Sequence, residues 1–248
     1  MTFASEARGL GIPEPLQNKW MRLMAFEIGF VLFPRLTQLD LTGPFEILSR
    51  LPGAKVSIVA KTLGPVLGDS GLGLVPNQTF ASCGPLDLIC VPGGMGVPAV
   101  LQDAETIDFV RRQAEAAKYV TSVCTGAFVL GAAGLLKGKR ATTHWAYTDL
   151  LPLVGATHEK ARVVRDGNVF TGGGVTAGID FGLTVVAEVA GPGVAQRIQL
   201  AVEYDPAPPF QSGNPASASA EILDALTPIY AKRVEEYRAA IGQAMGGV

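Results

Sequence analysis

Residues 119–126 read YVTSVCTG, and this short stretch is the strongest indication of how the chain folds. Its first five residues are β-branched, aromatic or small, which predicts a buried strand ending at Cys124. The run that follows, TGAFVLGAAGLL over residues 125–136, predicts a helix of small residues. A strand that turns through a nucleophilic residue directly into a helix is the arrangement of a nucleophile elbow, and Gly126 leaves room for its tight turn.

The residues that precede this stretch alternate between apolar strands and helices. Predicted strands cover residues 26–33, 55–60, 72–75 and 86–91, and predicted helices cover residues 40–51 and 98–117. This alternation is typical of an α/β fold, in which a mostly parallel central sheet carries helices on both faces.

The predicted elements become shorter after Arg140. Residues 161–165 and 169–171 predict a hairpin, because the Asp-Gly-Asn sequence between them is a strong turn signal. Further helices are expected over residues 176–190, 192–203 and 219–243, and Pro228 is expected to kink the last helix or to delay its start. We expect one domain over residues 25–248, with residues 1–24 forming an appended and partly disordered extension.

The composition excludes several classes of protein. Of the 248 residues, 48% are hydrophobic and 17% are charged, which excludes a mainly disordered chain. The net charge of −2 gives no general attraction to nucleic acid. Three cysteines are too few for a disulfide scaffold and suit a reducing compartment, so we expect a cytoplasmic protein. Its apolar stretches are too short or too charged for a signal peptide or a membrane span, so we expect neither.

The three cysteines differ in their surroundings. Cys124 falls at the carboxyl end of a central strand, where an open parallel sheet forms its sites, and a helix N-terminus there stabilises a thiolate. The alternative is that Cys124 is a small buried apolar residue. Cys90 lies inside a predicted strand and Cys83 in a loop, so we interpret both as structural. With only two histidines in the chain, no zinc-ligand spacing can be assembled.

Asp40 is the candidate acid–base residue, because it follows the first strand and can reach the same edge of the sheet. A carboxyl group beside a thiolate has a raised pKa and can donate a proton. Asp40 could instead cap the helix that begins there, and Glu46 is a rival carboxylate. His144 could act as a general base for Cys124, or it could be purely structural.

A glycine pair follows the third central strand, at Gly93 and Gly94. Neighbouring parallel strands end together, so we expect their backbone amides next to Cys124, where they could stabilise negative charge on a substrate. A simple tight turn is the alternative. Residues 94–99 also match a dinucleotide-binding pattern, but they do not follow the first strand and no acidic residue ends a strand about 20 residues later.

Several motifs together resemble the ThiJ/PfpI superfamily. They are QLDLTGP at 38–44, VPGG at 91–94, residues 119–136, KRATTHW at 139–145 and TGGGVTAGID at 171–180. Within the superfamily the chain is most similar to the isocyanide hydratases, including the segment EYDPAPPF at 203–210. Asp40 favours that branch, since many other members have a glutamate at this position.

The resemblance implies a flavodoxin-like three-layer sandwich, a homodimer, and hydration of an isocyanide to a formamide without a metal or organic cofactor. It implies Cys124 as the nucleophile, Asp40 as the catalytic carboxylate and Thr125 as a neighbouring active-site residue. Phe45, Phe128, Trp145 and Ile179 are candidates for an apolar substrate pocket.

Three further functions stay open at the level of sequence. Similar motifs occur in the ligand-sensing domains of AraC-type regulators, although no basic recognition pattern follows residue 210 here. The second is a thiol-dependent enzyme of the glyoxalase-like kind. The third is a redox sensor, because an exposed thiol of low pKa oxidises readily.

Overall fold

In a computed structural model of the protein, which describes residues 26–246, the predicted alternation of strands and helices is present. The predicted extension over residues 1–24 lies outside the described residues. The strands are β1 Phe26–Val31, β2 Ala54–Ala60, β3 Val66–Leu67, β4 Gly73–Leu74, β5 Gln78–Thr79, β6 Leu88–Val91, β7 Tyr119–Val123, β8 Arg140–Ala141, β9 Thr157–His158, β10 Val163–Asp166 and β11 Val169–Gly172. The α-helices are α1 Gln38–Leu48, α2 Val97–Val100, α3 Ala104–Ala116, α4 Gly126–Ala132, α5 Ala177–Ala190, α6 Pro192–Ala201 and α7 Ala220–Gly246, and a 3-10 helix covers Trp145–Val154.

The main sheet has seven strands in the order β10-β11-β7-β6-β1-β2-β5. All neighbours pair in parallel except β10, which forms the predicted antiparallel hairpin with β11. Counted along the chain, the five principal parallel strands have the order 2-1-3-4-5, which is that of flavodoxin-like folds. The predicted fold class is therefore confirmed.

The helices form two groups that pack on opposite faces of the sheet. One group consists of α1, α5 and α6, and the other combines α2, α3, α4, α7 and the 3-10 helix. Both groups contact β7, whose residues after Tyr119 are all buried. The strand that leads to Cys124 is therefore at the centre of the core, as its apolar sequence requires.

Several elements differ from what the sequence predicts, among them the short strands β3, β5, β8 and β9, which are not predicted. The helix expected over residues 98–117 is interrupted between α2 and α3, with Asp103 at the N-cap position of the second piece. The last helix begins at Ala220 and runs through Pro228, so of the two effects predicted for this proline the delayed start is wrong, and the kink stays a prediction. The 3-10 helix is not among the predicted elements. Within residues 26–246, none of the helices combines the length and the apolar character that crossing a bilayer requires.

Gly126 allows α4 to begin directly after Cys124. A Cβ atom at this position would lie 2.1 Å from the carbonyl oxygen of Val91, which is a backbone atom of the neighbouring strand. No side chain fits there unless the strand or the helix moves. The elbow therefore depends on glycine at residue 126 for close packing of helix against sheet.

We expect Gly126→Ala to destabilise the protein by about 3 kcal/mol or more, because overpacking against a backbone atom cannot be relieved by a rotamer change. Gly242→Ala is the matched control. Gly242 lies inside α7, and a Cβ atom added there would have nothing within 4 Å, so alanine should stabilise by up to about 1 kcal/mol through helix propensity. Urea unfolding measures the change in the free energy of unfolding for both variants. Equal changes in the two variants would contradict this account of the elbow.

Candidate active site

The site lies where β1, β6 and β7 end, at the switch point of the strand order. Residues that follow a parallel strand at its carboxyl end share one edge of the sheet, and α/β proteins bind ligands at the point where the order reverses. Asp40 follows β1, Gly93 follows β6 and Cys124 follows β7. The structure brings these three residues together, as the sequence predicts.

Cys124 has the backbone of a nucleophile elbow. Its φ angle is 56°, in the left-handed region that a residue with a side chain seldom adopts. Its N–H donates to the carbonyl oxygens of Gly172 and Gly173 at 3.0 and 3.1 Å, and its own carbonyl accepts from the Thr143 hydroxyl at 2.7 Å. These bonds hold the unfavourable backbone conformation in place.

Asp40 is completely buried in the first turn of α1. Its Oδ2 accepts a hydrogen bond from the Gly93 N–H at 3.0 Å, and its Oδ1 has no partner among the described residues. The residue before α1, Thr37, occupies the cap position, so the alternative that Asp40 is a helix cap is wrong. Glu46 is exposed and pairs with Arg50, so of these two rival carboxylates it is Asp40 that lies beside Cys124.

The pKa of Asp40 is raised from 3.8 to about 7. Burial is the largest cause, and the neighbouring Asp69 adds to it, while hydrogen bonds from the Cys124 thiol and the Gly93 N–H act in the opposite direction. A carboxyl group with this pKa can both give and take a proton near neutral pH.

The pKa of the Cys124 thiol is also raised, well above its ordinary value. Burial and the Asp40 carboxylate raise it, whereas the backbone N–H groups of Thr125 and Val175 lower it. The N–H group at the helix N-terminus thus favours the thiolate, as the sequence predicts, but desolvation and the adjacent carboxylate oppose it more strongly. Because both pKa values are raised, the pair holds at least one proton at neutral pH.

Gly93 and Gly94 lie beside the site but do not offer their amides to a ligand. The Gly93 N–H donates to Asp40, and the Gly94 N–H donates to Thr125 Oγ1 at 3.1 Å. Both donors are thus used inside the protein, which corrects the expectation that they would stabilise a substrate. The N–H groups that face the sulfur belong to Thr125 and Val175 instead.

His144 borders the cavity without acting on the thiol. Its Nδ1 accepts from the Ala146 N–H at 3.3 Å, so a neutral ring carries its proton on Nε2. Its ring stacks on Tyr230, and burial together with Arg233 lowers its pKa to about 4. A neutral histidine with Nδ1 already engaged is poorly suited to take a proton from Cys124.

A cavity of about 190 Å³ opens in front of Cys124. Its walls come from several regions of the chain and are formed by Thr37, Asp69, Gly94, Met95, Cys124, Thr125, His144, Tyr147, Val175, Tyr230, Arg233 and Tyr237. Phe45, Phe128, Trp145 and Ile179, which the sequence suggests as an apolar pocket, do not line it. Burial of Phe128 and its packing against Tyr237 place that ring behind the cavity wall.

The contribution of α7 is missed by sequence reasoning. Tyr230, Arg233 and Tyr237 all line the cavity, and their spacing of three and four residues places them on one face of the helix. That spacing is the feature of the sequence that indicates a shared helix face. It cannot be interpreted from the sequence, which does not say which element faces this helix.

The remaining two cysteines lie away from the cavity. Cys90 is fully buried in β6, and burial raises its pKa to about 12. Cys83 is partly exposed in the loop after β5. Both placements agree with the structural roles expected for them.

The model of the DJ-1/PfpI family matches residues 27–188, so the chain belongs to the DJ-1/PfpI family. Among its relatives, the isonitrile hydratase of Pseudomonas putida is 60% identical over 201 residues, which are 81% of this chain and 88% of that protein. A crystal structure of a ThiJ/PfpI family protein from Pseudomonas syringae has a TM-score of 0.86 and 45% identity, with 88% of this chain and 91% of the other covered.

A more distant relative is relevant to the sensing alternative. The HTH-type transcriptional regulator GbdR of Pseudomonas aeruginosa is 26% identical over 188 residues, which are 72% of this chain and only 50% of the regulator. The similarity to regulators is therefore real, but it is much weaker than the similarity to the isonitrile hydratase.

We expect the Asp40→Asn substitution to change how stability depends on pH. Because the folded-state pKa is raised, Asp40 favours folding below pH 4, and this contribution is lost as the pH rises through about 7. Asparagine does not titrate and can still accept from Gly93. The stability of the variant relative to the wild type should therefore increase from pH 4 to pH 8, by on the order of a few kcal/mol.

Urea unfolding at pH 4, 6 and 8 measures this difference. Asp149→Asn is the control, since Asp149 is exposed on the 3-10 helix. The raised pKa of Asp40 would be contradicted if the free energies of unfolding of Asp40→Asn and the wild type differed by the same amount at all three pH values.

Proposed function

We propose that this protein hydrates isocyanides, also called isonitriles, to N-substituted formamides, with Cys124 as nucleophile and Asp40 as proton carrier. The observation that carries the proposal is the buried Cys124–Asp40 pair, of which Cys124 lines a small cavity. The 60% identity to an isonitrile hydratase supports this reaction over others that a buried thiol could perform.

The first step uses the proton that the pair retains. Transfer of the thiol proton from Cys124 to Asp40 gives a thiolate, and the N–H groups of Thr125 and Val175 stabilise its charge. The thiolate forms a bond to the terminal carbon of R–N≡C, and Asp40 delivers its proton to the same carbon. The product is a thioimidate, R–N=CH–S–Cys124, and Asp40 is left as a carboxylate.

The second step adds water and releases the product. Asp40 removes a proton from a water molecule as its oxygen bonds to the thioimidate carbon, and Asp40 then passes this proton to the nitrogen. The unpartnered Oδ1 of Asp40 is the free acceptor for that water. The carbon–sulfur bond then breaks with its electrons returning to sulfur, the hydroxyl proton of the adduct passes to Asp40, and R–NH–CHO leaves. The Cys124–Asp40 pair again holds one proton.

The cavity suits a neutral substrate with a compact R group. Its volume of about 190 Å³ is small for a ligand site, and Met95, Tyr147, Val175 and Tyr230 supply apolar wall surface. A neutral substrate also fits the low charge of the chain, since it needs no electrostatic steering.

We also propose that the protein is a homodimer and that it is cytoplasmic. Four large apolar side chains, Leu63, Leu67, Leu72 and Val75, lie on and beside the β3–β4 hairpin with exposures of 49–63%. Clustered exposed apolar residues of this kind mark interaction surfaces. Three free thiols support a reducing compartment. One domain over residues 25–248 stays part of the proposal.

The function is tested by incubating the protein with cyclohexyl and aryl isocyanides and measuring formamide by chromatography. We expect Cys124→Ala to lose activity by on the order of 10³-fold or more and Asp40→Asn by about 10²–10⁴-fold. Cys83→Ala, which removes a thiol far from the site, should retain full activity. A stalled thioimidate should add the whole mass of the isocyanide to the protein, since addition expels no atom.

Different results would overturn the proposal. Full turnover by Cys124→Ala would remove Cys124 from the mechanism. Turnover of methylglyoxal without turnover of any isocyanide would indicate a glyoxalase-like enzyme. Isocyanide binding without formamide would favour a sensing role.

Light scattering tests the oligomeric state, for which we expect twice the chain mass of 25.9 kDa. Leu67→Lys should shift the population toward monomer, because it places a charge in the proposed apolar interface. Leu200→Lys is the control, since Leu200 is 82% exposed on α6 and lies outside the hairpin. A monomeric wild type would contradict the proposal.

A further inference from the structure

The helix α7 reaches the site although it lies outside the residues that the family model matches. That model ends at residue 188, whereas α7 begins at Ala220. Of the three cavity residues on α7, Tyr237 is the most deeply placed, with 3% of its surface exposed. A buried tyrosine hydroxyl requires a hydrogen-bond partner, so its contacts show what the helix does at the site.

Tyr237, Thr125 and Gly94 form a closed ring of hydrogen bonds. The Tyr237 hydroxyl donates to the Gly94 carbonyl at 2.6 Å, and the Gly94 N–H donates to Thr125 Oγ1 at 3.1 Å. Thr125 Oγ1 and the Tyr237 hydroxyl are 3.1 Å apart. Since Tyr237 has already given its proton to Gly94, the Thr125 hydroxyl must be the donor in this last bond. Every donor direction in the ring is therefore determined.

The ring holds two backbone segments that contact the reacting groups. Gly94 has a φ angle of 128°, which only glycine adopts readily, and the adjacent Gly93 donates its N–H to Asp40. Thr125 donates its own N–H toward the sulfur of Cys124. One tyrosine thus fixes, through its two partners, a donor to each member of the Cys124–Asp40 pair.

The Tyr237 side chain is itself held by its neighbours. Its ring packs against Tyr147 at a centroid distance of 4.6 Å and against Phe128 at 5.9 Å. These contacts involve the ring and not the hydroxyl. A phenylalanine at this position should therefore keep the packing and the fold while breaking the ring of hydrogen bonds.

We propose that Tyr237 is a positioning residue for the hydration reaction and that α7 completes the active site. Its hydroxyl sets the orientation of Thr125 and of the Gly93–Gly94 segment, and through them the donors that face Cys124 and Asp40. This inference rests on the proposed function for its turnover measurements.

Removal of the hydroxyl has a definite chemical consequence. The Thr125 hydroxyl loses its acceptor and the Gly94 carbonyl loses its donor, so both segments can shift. A weaker Gly93 N–H bond lets the pKa of Asp40 rise further, because that bond lowers it. The pH at which activity depends on Asp40 should then move upward.

The test compares Tyr237→Phe with Tyr204→Phe. Tyr204 also donates its hydroxyl to a side chain, Asp180 at 2.9 Å, but it lies outside the cavity. For Tyr237→Phe we expect kcat to fall by about 10–100-fold with KM changed by less than about threefold, since misplaced groups affect the reaction more than binding. The Asp40 limb of the pH profile should move upward. Tyr204→Phe should match the wild type in kcat, in KM and in the pH profile.

A double-mutant cycle separates positioning from stability. Tyr237→Phe and Thr125→Val should be strongly non-additive in kcat because they break the same ring, while Thr125→Ser keeps the hydroxyl and should retain most activity. If Tyr237→Phe lowers only the melting temperature and leaves kcat and the pH profile unchanged, the residue is structural and the proposal is overturned.

A second readout does not depend on the proposed function. The rate at which iodoacetamide alkylates Cys124 is measured against pH in the wild type, Tyr237→Phe and Tyr204→Phe, each with Cys83→Ala in the background. We expect the pH profile of alkylation to shift in Tyr237→Phe and to stay unchanged in Tyr204→Phe. If the wild type hydrates no isocyanide while this shift is present, the proposed function fails and the positioning role of Tyr237 stands. Identical profiles in all three would overturn it.

Discussion

The burial of Asp40 beside Cys124 is the interaction on which the site depends. Two acids in one dry space cannot both ionise at low cost, so the pair retains a proton to a higher pH than either group would alone. In the proposed reaction, that proton passes to the isocyanide carbon when the sulfur attacks it. Burial of the pair lowers the stability of the folded protein. It also keeps a proton on the pair, and this proton can be transferred in the proposed reaction.

The backbone around the pair limits this cost. Gly93 donates to one oxygen of Asp40, and Thr125 and Val175 direct their N–H groups toward the sulfur. These donors exist only because strands end together at the switch point and because Cys124 turns at a φ of 56°. The parallel sheet therefore provides the electrostatic environment of the site as well as its position.

The helix α7 also contributes to the geometry of the site. The sheet edge and the elbow lie within the region that the family model matches, whereas Tyr237 comes from residues beyond it. Its hydrogen bonds join α7 to the segments that hold Asp40 and Cys124 in place. Formation of the complete site is in this way coupled to the docking of the last helix.

Apolar periodicity and the ends of strands are local signals. The sequence therefore predicts the parallel α/β fold, the elbow at Cys124 and the position of Asp40 on the same edge of the sheet. Packing determines the rest of the site. It buries Asp40 while Glu46 stays exposed, and it occupies the amides of Gly93 and Gly94. It also brings Tyr237 within hydrogen-bond distance of Thr125, 112 positions away. Burial and long-range hydrogen bonds depend on which elements pack together, and a single sequence does not record that.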